Sequence, residues 1–235
     1  MKMTAIAKAS LALGILATGT ITSLHQTVNA SEHKAKYENV TKDIFDLRDY
    51  YSGASKELKN VTGYRYSKGG KHYLIFDKNR KFTRVQIFGK DIEKYPQGEH
   101  DKQDAFLVIE EETVNGRQYS IGGLSKTNSK EFSKEVDVKV TRKIDESSEK
   151  SKDSKFKITK EEISLKELDF KLRKKLMEEE KLYGAVNNRK GKIVVKMEDD
   201  KFYTFELTKK LQPHRMGDTI DGTKIKEINV ELEYK

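Results

Sequence analysis

The sequence predicts an α+β protein, with an N-terminal OB-fold β-barrel (residues 31–128) followed by a C-terminal β-grasp domain (residues 129–235). Three observations lead to this prediction. Short strand-like runs crowd residues 60–124, one strongly patterned helix follows them, and strands resume after that helix. Charged residues make up 36% of the chain and hydrophobic residues 35%, so each core must be small.

The first thirty residues have the pattern of a secretion signal. Lys2 and Lys8 give a positive start, residues 9–17 form a short apolar core, and residues 28–30 (VNA) resemble a signal-peptidase site. The core is shorter than the roughly 20 apolar residues that cross a bilayer. We therefore expect a secreted, extracellular protein that begins at Ser31 and does not insert into a membrane.

The composition limits the chemistry of the mature chain. The full sequence has a net charge of +9, which becomes +7 when Lys2 and Lys8 are removed with the signal. A basic protein attracts acidic partners such as sialylated or sulfated glycans, anionic surfaces and nucleic acid, although charge also serves solubility. Cysteine is absent, which excludes disulfides, thiolate catalysis and thiolate metal sites.

The N-terminal half has one helical pattern and five strand-like runs. Thr41 is the predicted N-cap of the helix, and Gly53 is its predicted stop. Between them, Ile44, Leu47 and Tyr51 fall at helical spacing. The strand-like runs are residues 60–66, 72–76, 82–88, 105–110 and 117–124. Tight turns are indicated at Gly69-Gly70 and at Asn115-Gly116. Five short strands over this length favour a Greek-key barrel of the OB type.

The C-terminal half opens with a strand and a polar segment. Val136, Val138 and Val140 alternate with charged residues, which indicates a strand with one buried face. Residues 145–155 contain no apolar side chain and mix both charge signs. We expect this segment to be a solvated, mobile loop that tolerates deletion.

The clearest helix follows that segment. Ser164 and Glu167 form a capping box, and an apolar stripe follows at Leu165, Leu168, Leu172 and Leu176. Asp169 and Arg173 are four residues apart, and we expect a surface ion pair worth under about 1 kcal/mol. Gly184 is the predicted C-terminal stop. Strands at residues 192–197, 202–207 and 225–234 complete a mixed sheet against the helix, the β-grasp arrangement.

No catalytic or metal site is indicated. The histidines of the mature chain do not lie at metal-ligand spacing: His33, His72, His100 and His214. No nucleophile elbow or phosphate-binding glycine loop is present. The adjacent carboxylates of Asp199-Asp200 and of residues 178–180 cannot face each other across a sugar as a glycosidase requires. We expect no enzyme activity, no cofactor and no metal.

A basic OB barrel could instead bind single-stranded nucleic acid, with aromatic rings as stacking platforms between cations. The candidates are Tyr64, Tyr66, Tyr73, Phe76, Phe82 and Phe88, with Arg65, Lys71, Arg80 and Arg84. The favoured interpretation is that alternate aromatic rings fill the barrel while the basic residues are solvated. Secretion also argues against this partner, so we expect no nucleic-acid binding.

Residues 160–173 (KEEISLKELDFKLR), continued by Leu176 and Leu182-Tyr183, resemble the C-terminal signature of staphylococcal and streptococcal superantigen toxins over 24 residues. Residues 42–51 (KDIFDLRDYY), 122–126 (GGLSK) and 216–218 (MGD) resemble the superantigen-like branch. The resemblance covers essentially the whole chain and is weakest at residues 90–104 and 129–158. The cysteine pair and the acidic-histidine zinc site of the toxins are missing. The resemblance implies the superantigen-toxin architecture and interference with host defence by binding.

Within that branch, one subgroup binds sialylated, fucosylated glycans of the sialyl Lewis type on leukocyte and platelet glycoproteins. Similarity to this subgroup implies a glycan site at Thr204, Arg215, Asp218 and Asp221. Thr204 and Arg215 would donate to a sialic-acid carboxylate, and the two aspartates would accept from sugar hydroxyls. On residue types alone, these are also ordinary strand and turn residues, with Arg215 neutralising the aspartates.

Two functions remain open from the sequence. The first is a virulence-associated immune-evasion factor without superantigen activity, which binds sialylated host glycoproteins on leukocytes or platelets and interferes with adhesion or receptor signalling. The alternative is a glycan-independent module whose OB barrel binds an immunoglobulin, a complement component or an innate receptor. The sequence does not indicate the main host target, a second OB partner, the oligomeric state or the glycan affinity.

Overall fold

The computed structural model describes residues 43–78, 81–114, 116–143, 148–184 and 190–233. The predicted secretion signal, its cleavage site, the Thr41 cap and Asn115 of the predicted Asn115-Gly116 turn lie outside these residues. Gly116 is described and has the positive φ (69°) that such a turn requires.

The N-terminal half is a barrel as predicted, preceded by helix α1 (residues 43–52), but it has seven described strands rather than five, and the strand predicted at residues 117–124 is divided into two. Its elements are β1 (Ser55–Lys68), β2 (Lys71–Lys78), β3 (Lys81–Ile87), α2 (Lys90–Lys94), β4 (Glu99–Val108), β5 (Glu111–Glu112), β6 (Gln118–Ile121) and β7 (Leu124–Lys126). The described strands form one curved sheet in the order β5-β6-β3-β2-β1-β4-β7. β3 and β6 pair in parallel, and the other neighbours are antiparallel. Its core includes Leu58, Leu74, Phe76, Val85, Tyr95 and Leu107.

The expectation that the alternate aromatic rings are enclosed by this barrel is wrong for three of the six, while Tyr73 is buried and Phe88 half-buried. Phe76 lies in the core, but Tyr64, Tyr66 and Phe82 are 55%, 40% and 49% exposed. The register of β1 explains this, because Gly63 and Arg65 occupy its buried positions and Tyr64 and Tyr66 alternate with them on the outside. A Cβ at Gly63 would lie 2.7 Å from the Leu74 side chain, so glycine lets β1 pack against the core.

The C-terminal half is a helix packed on a mixed sheet, as predicted. Its elements are β8 (Lys134–Lys143), β9 (Glu149–Ile158), β10 (Glu162–Ser164), α3 (Leu165–Glu180), β11 (Lys190–Met197), β12 (Phe202–Glu206), β13 (Thr219–Asp221) and β14 (Ile225–Glu233). The main sheet has the order β12-β11-β14-β8-β9, with β14 and β8 parallel. β10 and β13 form a separate antiparallel pair that leads into α3.

The loop predicted at residues 145–155 is wrong for most of its length. Residues 149–155 belong to β9 and pair with β8, for example Ser154 with Val138 and Lys152 with Val140. β9 is an edge strand of its sheet. Charged side chains are ordinary at such an edge because they prevent further strand pairing, so the apolar residues expected of a strand are missing here. Residues 145–147 lie outside the described part of the chain.

Helix α3 begins at the predicted Ser164 cap, but the Glu167 half of the predicted capping box does not form among the described residues, and the helix ends earlier than predicted. The backbone N–H of Glu167 donates to Ser164 Oγ at 3.2 Å. The Glu167 carboxylate forms ion pairs with Lys160 (2.9 Å) and Lys171 (2.6 Å). The helix ends at Glu180, followed by Lys181 in the left-handed conformation with φ of 58°. The predicted stop at Gly184 is therefore wrong, because Lys181 itself adopts the conformation for which glycine is usually chosen.

The expected surface ion pair between Asp169 and Arg173 is instead buried. The two side chains are 2% and 1% exposed, and Arg173 Nε lies 2.7 Å from Asp169 Oδ1. Tyr51 of α1 donates to Asp169 Oδ2 at 2.6 Å. Arg173 also donates to the carbonyl of Glu206 at 3.0 Å. Burial would lower the pKa of Arg173, but the Asp169 charge outweighs it and raises that pKa, so Arg173 stays charged.

Replacing Arg173 with Leu should destabilise the protein by about 3–5 kcal/mol, because a buried Asp169 carboxylate would lose its counter-charge. Urea unfolding followed by circular dichroism would measure the loss. The double variant Asp169→Leu/Arg173→Leu should recover much of it. Lys196 and Glu227 form an exposed pair at 2.7 Å, and Lys196→Ala should cost under about 1 kcal/mol. Equal costs for Arg173→Leu and Lys196→Ala would contradict this assignment.

Deleting residues 149–155 should lower the free energy of unfolding by several kcal/mol, because each ladder hydrogen bond lost from β8 contributes about 1 kcal/mol. Thermal unfolding would show the change as a fall in Tm. A matched control replaces the exposed Gly69-Gly70 turn with Asn-Gly, which keeps the positive φ that this turn uses. A deletion variant that melts with the parent would restore the loop interpretation.

Candidate functional site

Two of the predicted site residues meet in a small hollow beside β12. Arg215 Nη1 donates to the backbone carbonyl of Thr204 at 3.2 Å, and its guanidinium lies 5.9 Å from the centre of the Phe205 ring. The hollow measures about 210 Å³ and is also lined by Arg173, Glu206, Lys209, Lys210, Leu211 and Gln212. Thr204 and Arg215 are both half-buried, so the hollow is open to a ligand.

The cations around this hollow differ in their partners. Arg173 is paired with Asp169, Lys209 lies 2.8 Å from Glu206, and Lys210 lies 2.9 Å from Glu110. No carboxylate of the described residues lies within ion-pair distance of Arg215. Arg215 is therefore the cation of the hollow that can meet an incoming anion without breaking an existing ion pair.

The turn that carries Arg215 is fixed by backbone contacts. The N–H of Gly123, in the barrel, donates to the carbonyl of Met216 at 2.8 Å, and the N–H of Leu165 donates to that of Asp218 at 2.8 Å. Gly122 and Gly123 both have positive φ, 55° and 85°. A Cβ at Gly122 would lie 2.6 Å from the Met216 carbonyl carbon, so this close approach requires glycine. The barrel thus holds the turn in place.

Asp91 of helix α2 packs against the same turn. Its side chain is buried, and Oδ2 has no hydrogen-bond partner among the described residues. A Cβ added at Gly217 would overlap this oxygen. Burial raises the pKa of Asp91 to about 7; Lys94 opposes the shift, while the charges of Asp218 and Glu162 add to it. The carboxyl therefore changes charge near neutral pH directly beneath the turn.

The structure separates the two predicted aspartates. Asp218 is half-buried at the end of the turn, and its N–H donates to the carbonyl of Arg215 at 3.2 Å. Asp221 lines a different depression of about 530 Å³. Its Oδ1 accepts from Thr223 N at 3.0 Å and from Thr223 Oγ1 at 2.5 Å, which lowers the pKa of Asp221. Asp221 thus shapes the turn at Gly222–Lys224 and does not line the hollow of Arg215.

The sequence patterns did not indicate several residues that line the hollow. Gln212 is exposed and precedes the short 3-10 helix Pro213–Arg215. Lys209 and Lys210 form a basic pair directly after β12, which is a weak sequence signal on its own. Arg173 lies about thirty residues before Thr204 in the chain and reaches the hollow because α3 packs beside it. No sequence pattern near Arg173 indicates that it lines this hollow.

Among the described residues, no cluster of three or more His, Cys, Asp or Glu side chains could hold a metal ion. Within the same part of the chain, no helix is long and apolar enough to cross a membrane.

Comparison with family models covers most of the chain. Residues 45–128 match the model for the staphylococcal superantigen-like OB-fold domain, and residues 126–232 match the staphylococcal/streptococcal toxin β-grasp domain. These matches confirm the predicted fold class and the resemblance found in the sequence.

Similar proteins are known from Staphylococcus aureus. The chain is 63% identical to Staphylococcal superantigen-like 5 of strain Newman over 234 residues, which is 99% of this chain and 100% of that protein. A solved superantigen-like protein from S. aureus in complex with sialyl Lewis X is 84% identical, with a TM-score of 0.77 over 82% of this chain and 100% of its own. The superantigen-like protein SSL5, also solved with sialyl Lewis X, is 52% identical, with a TM-score of 0.76 over 80% of this chain and 99% of its own.

Replacing Asp91 with Asn should stabilise the protein at pH 8 and leave it unchanged at pH 4 and below. The folded-state pKa near 7 lies above the unfolded one, so the parent loses stability as pH rises through this interval. Removing the charge should raise the free energy of unfolding at pH 8 by about 1–4 kcal/mol. Urea unfolding across this pH range measures the difference between the two proteins. A difference that does not vary with pH would show that Asp91 titrates normally.

Proposed function

Because the chain belongs to the staphylococcal superantigen-like family, we propose that it is a secreted immune-evasion protein that binds sialylated, fucosylated glycans on host glycoproteins. The glycans are of the sialyl Lewis type, and the function is binding rather than catalysis. By occupying these glycans on leukocytes or platelets, the protein interferes with adhesion or receptor signalling.

The observation that carries this proposal is the guanidinium of Arg215 in the hollow beside Thr204, which has no ion-pair partner among the described residues. A sialic acid brings a carboxylate, and a guanidinium binds a carboxylate through charge-assisted hydrogen bonds. The hollow, at about 210 Å³, is smaller than pockets that enclose a drug-sized ligand. It suits one terminal acidic sugar, with the rest of the glycan lying on the surface.

The two aspartates have different roles in this proposal. Asp218, at the end of the Arg215 turn, accepts hydrogen bonds from neutral sugar hydroxyls. Asp221 acts through the turn at Gly222–Lys224, which its carboxylate holds. Thr204 contributes its hydroxyl, and its carbonyl orients Arg215.

The related structures support this assignment. The 84%-identical protein and SSL5 were each solved with sialyl Lewis X, and an 82%-identical superantigen-like protein was solved with a sialylated N-acetyllactosamine. Sialic acid is the charged unit in each ligand, which agrees with an arginine as the central contact.

Replacing Arg215 with Ala should weaken binding to sialyl Lewis X about 10- to 150-fold, because a hydrogen bond to a charged group contributes about 1.5–3 kcal/mol. Titration calorimetry with the free tetrasaccharide measures the effect, and added salt should weaken the parent's binding. Lys196→Ala removes the same charge from β11 and should bind like the parent. Circular dichroism should show that the Arg215→Ala variant is folded.

A cell assay separates this function from the glycan-independent alternative. Sialidase treatment of leukocytes or platelets should abolish binding of the parent protein. If treated cells bind as much protein as untreated cells, and Arg215→Ala binds both, the partner is a protein surface and the hollow is not the site.

A further inference from the structure

A second concave surface lies on the outside of the barrel, away from the Arg215 hollow. It is a groove of about 620 Å³ built mainly on β2, β3 and β6, and its lining includes Tyr66, Lys71, Tyr73, Phe82, Arg84 and Arg117. It shares no lining residue with the hollow beside β12. Five of its lining residues are among the aromatic and basic positions considered in the sequence: Tyr66, Lys71, Tyr73, Phe82 and Arg84.

The groove has unbalanced positive charge. Lys71, Arg84 and Arg117 line it, with Glu111 as the one acidic lining residue. No carboxylate of the described residues lies within ion-pair distance of these three cations. In contrast, several cations of the β-grasp sheet lie in ion pairs, as Lys196 does with Glu227 and Lys192 with Glu231. A ligand with several negative charges would therefore bind in this groove without displacing an internal partner.

The floor of the groove is pre-organised. The Arg84 guanidinium lies 5.6 Å from the centre of the Tyr73 ring. Tyr73 also contacts Tyr66 and Tyr119, with ring centres 6.4 and 6.5 Å apart, and Tyr119 donates to Gln86. A guanidinium held on an aromatic face loses little freedom when it binds an anion.

We propose that this groove binds a segment of a sulfated polysaccharide. Such a chain carries several anionic groups on successive rings, which matches three cations along one groove. The exposed faces of Tyr66 and Phe82, 40% and 49% exposed, pack against the apolar faces of sugar rings. The groove offers three cations but only two strongly exposed lining rings, Tyr66 and Phe82, so a ligand with repeated charge fits it better than a run of stacked nucleobases.

The proposal is tested with the mature chain and a heparin-derived hexasaccharide as the probe. The double variant Arg84→Ala/Arg117→Ala should lose affinity by about tenfold or more, since it removes two charge-assisted contacts. The matched control Lys139→Ala/Lys157→Ala removes the same charge from exposed positions on β8 and β9 and should change affinity by less than about threefold. Titration calorimetry and circular dichroism of each variant provide the measurements.

The same experiment distinguishes this groove from the proposed sialylated-glycan site. Arg215→Ala should bind the hexasaccharide like the parent, and the groove double variant should bind sialyl Lewis X like the parent. Four results would overturn the proposal. These are no binding of the hexasaccharide, equal losses in the two double variants, equal binding of desulfated probe, and tighter binding of a thymidine oligonucleotide, which would assign the groove to nucleic acid.

Discussion

The buried ion pair between Asp169 and Arg173 is the interaction on which the rest of the structure depends. It joins three parts of the chain that are distant in sequence, because Tyr51 of α1 donates to Asp169 and Arg173 donates to the carbonyls of Glu206 and Leu207. The Tyr51 ring lies 4.5 Å beneath the guanidinium carbon. The end of β12 and the start of the following turn are thus fixed by a side chain of α3, and this turn carries the candidate binding residues.

Buried lysines also connect the barrel to the β-grasp domain. Lys166 is buried and donates to Ser120 Oγ at 2.9 Å and to the Ile121 carbonyl at 2.7 Å, and burial lowers its pKa to about 7. Lys160 lies 2.9 Å from Glu167 and 3.6 Å from Asp104. Together with the close approach of Gly122 to Met216, these contacts mean that residues of both halves of the chain hold the turn of Arg215 in position.

The two concave surfaces differ in how many cations they offer to an anionic ligand. In the hollow beside β12, three cations are already paired and one, Arg215, is available, which suits a single acidic sugar. In the barrel groove, three cations are unpaired among the described residues and an aromatic floor holds one of them, which suits a chain with repeated charge. A protein with a net charge of +9 therefore does not present its charge uniformly, and its internal ion pairs decide where an anion can bind.

The sequence by itself determined the fold class, because the alternation of β8, the apolar stripe of α3 and the Ser164 cap are local signals that tertiary packing did not override. A resemblance in short segments also indicated Thr204 and Arg215 as candidate site residues. Only the tertiary structure decided that Arg173 is buried, that β9 is a strand, that Tyr66 and Phe82 face outward, and that Asp221 lies apart from Arg215. Each of these depends on which distant segment packs against a residue. Burial, strand pairing at a sheet edge and the pairing of charges are properties of neighbours in space, which local sequence patterns do not specify.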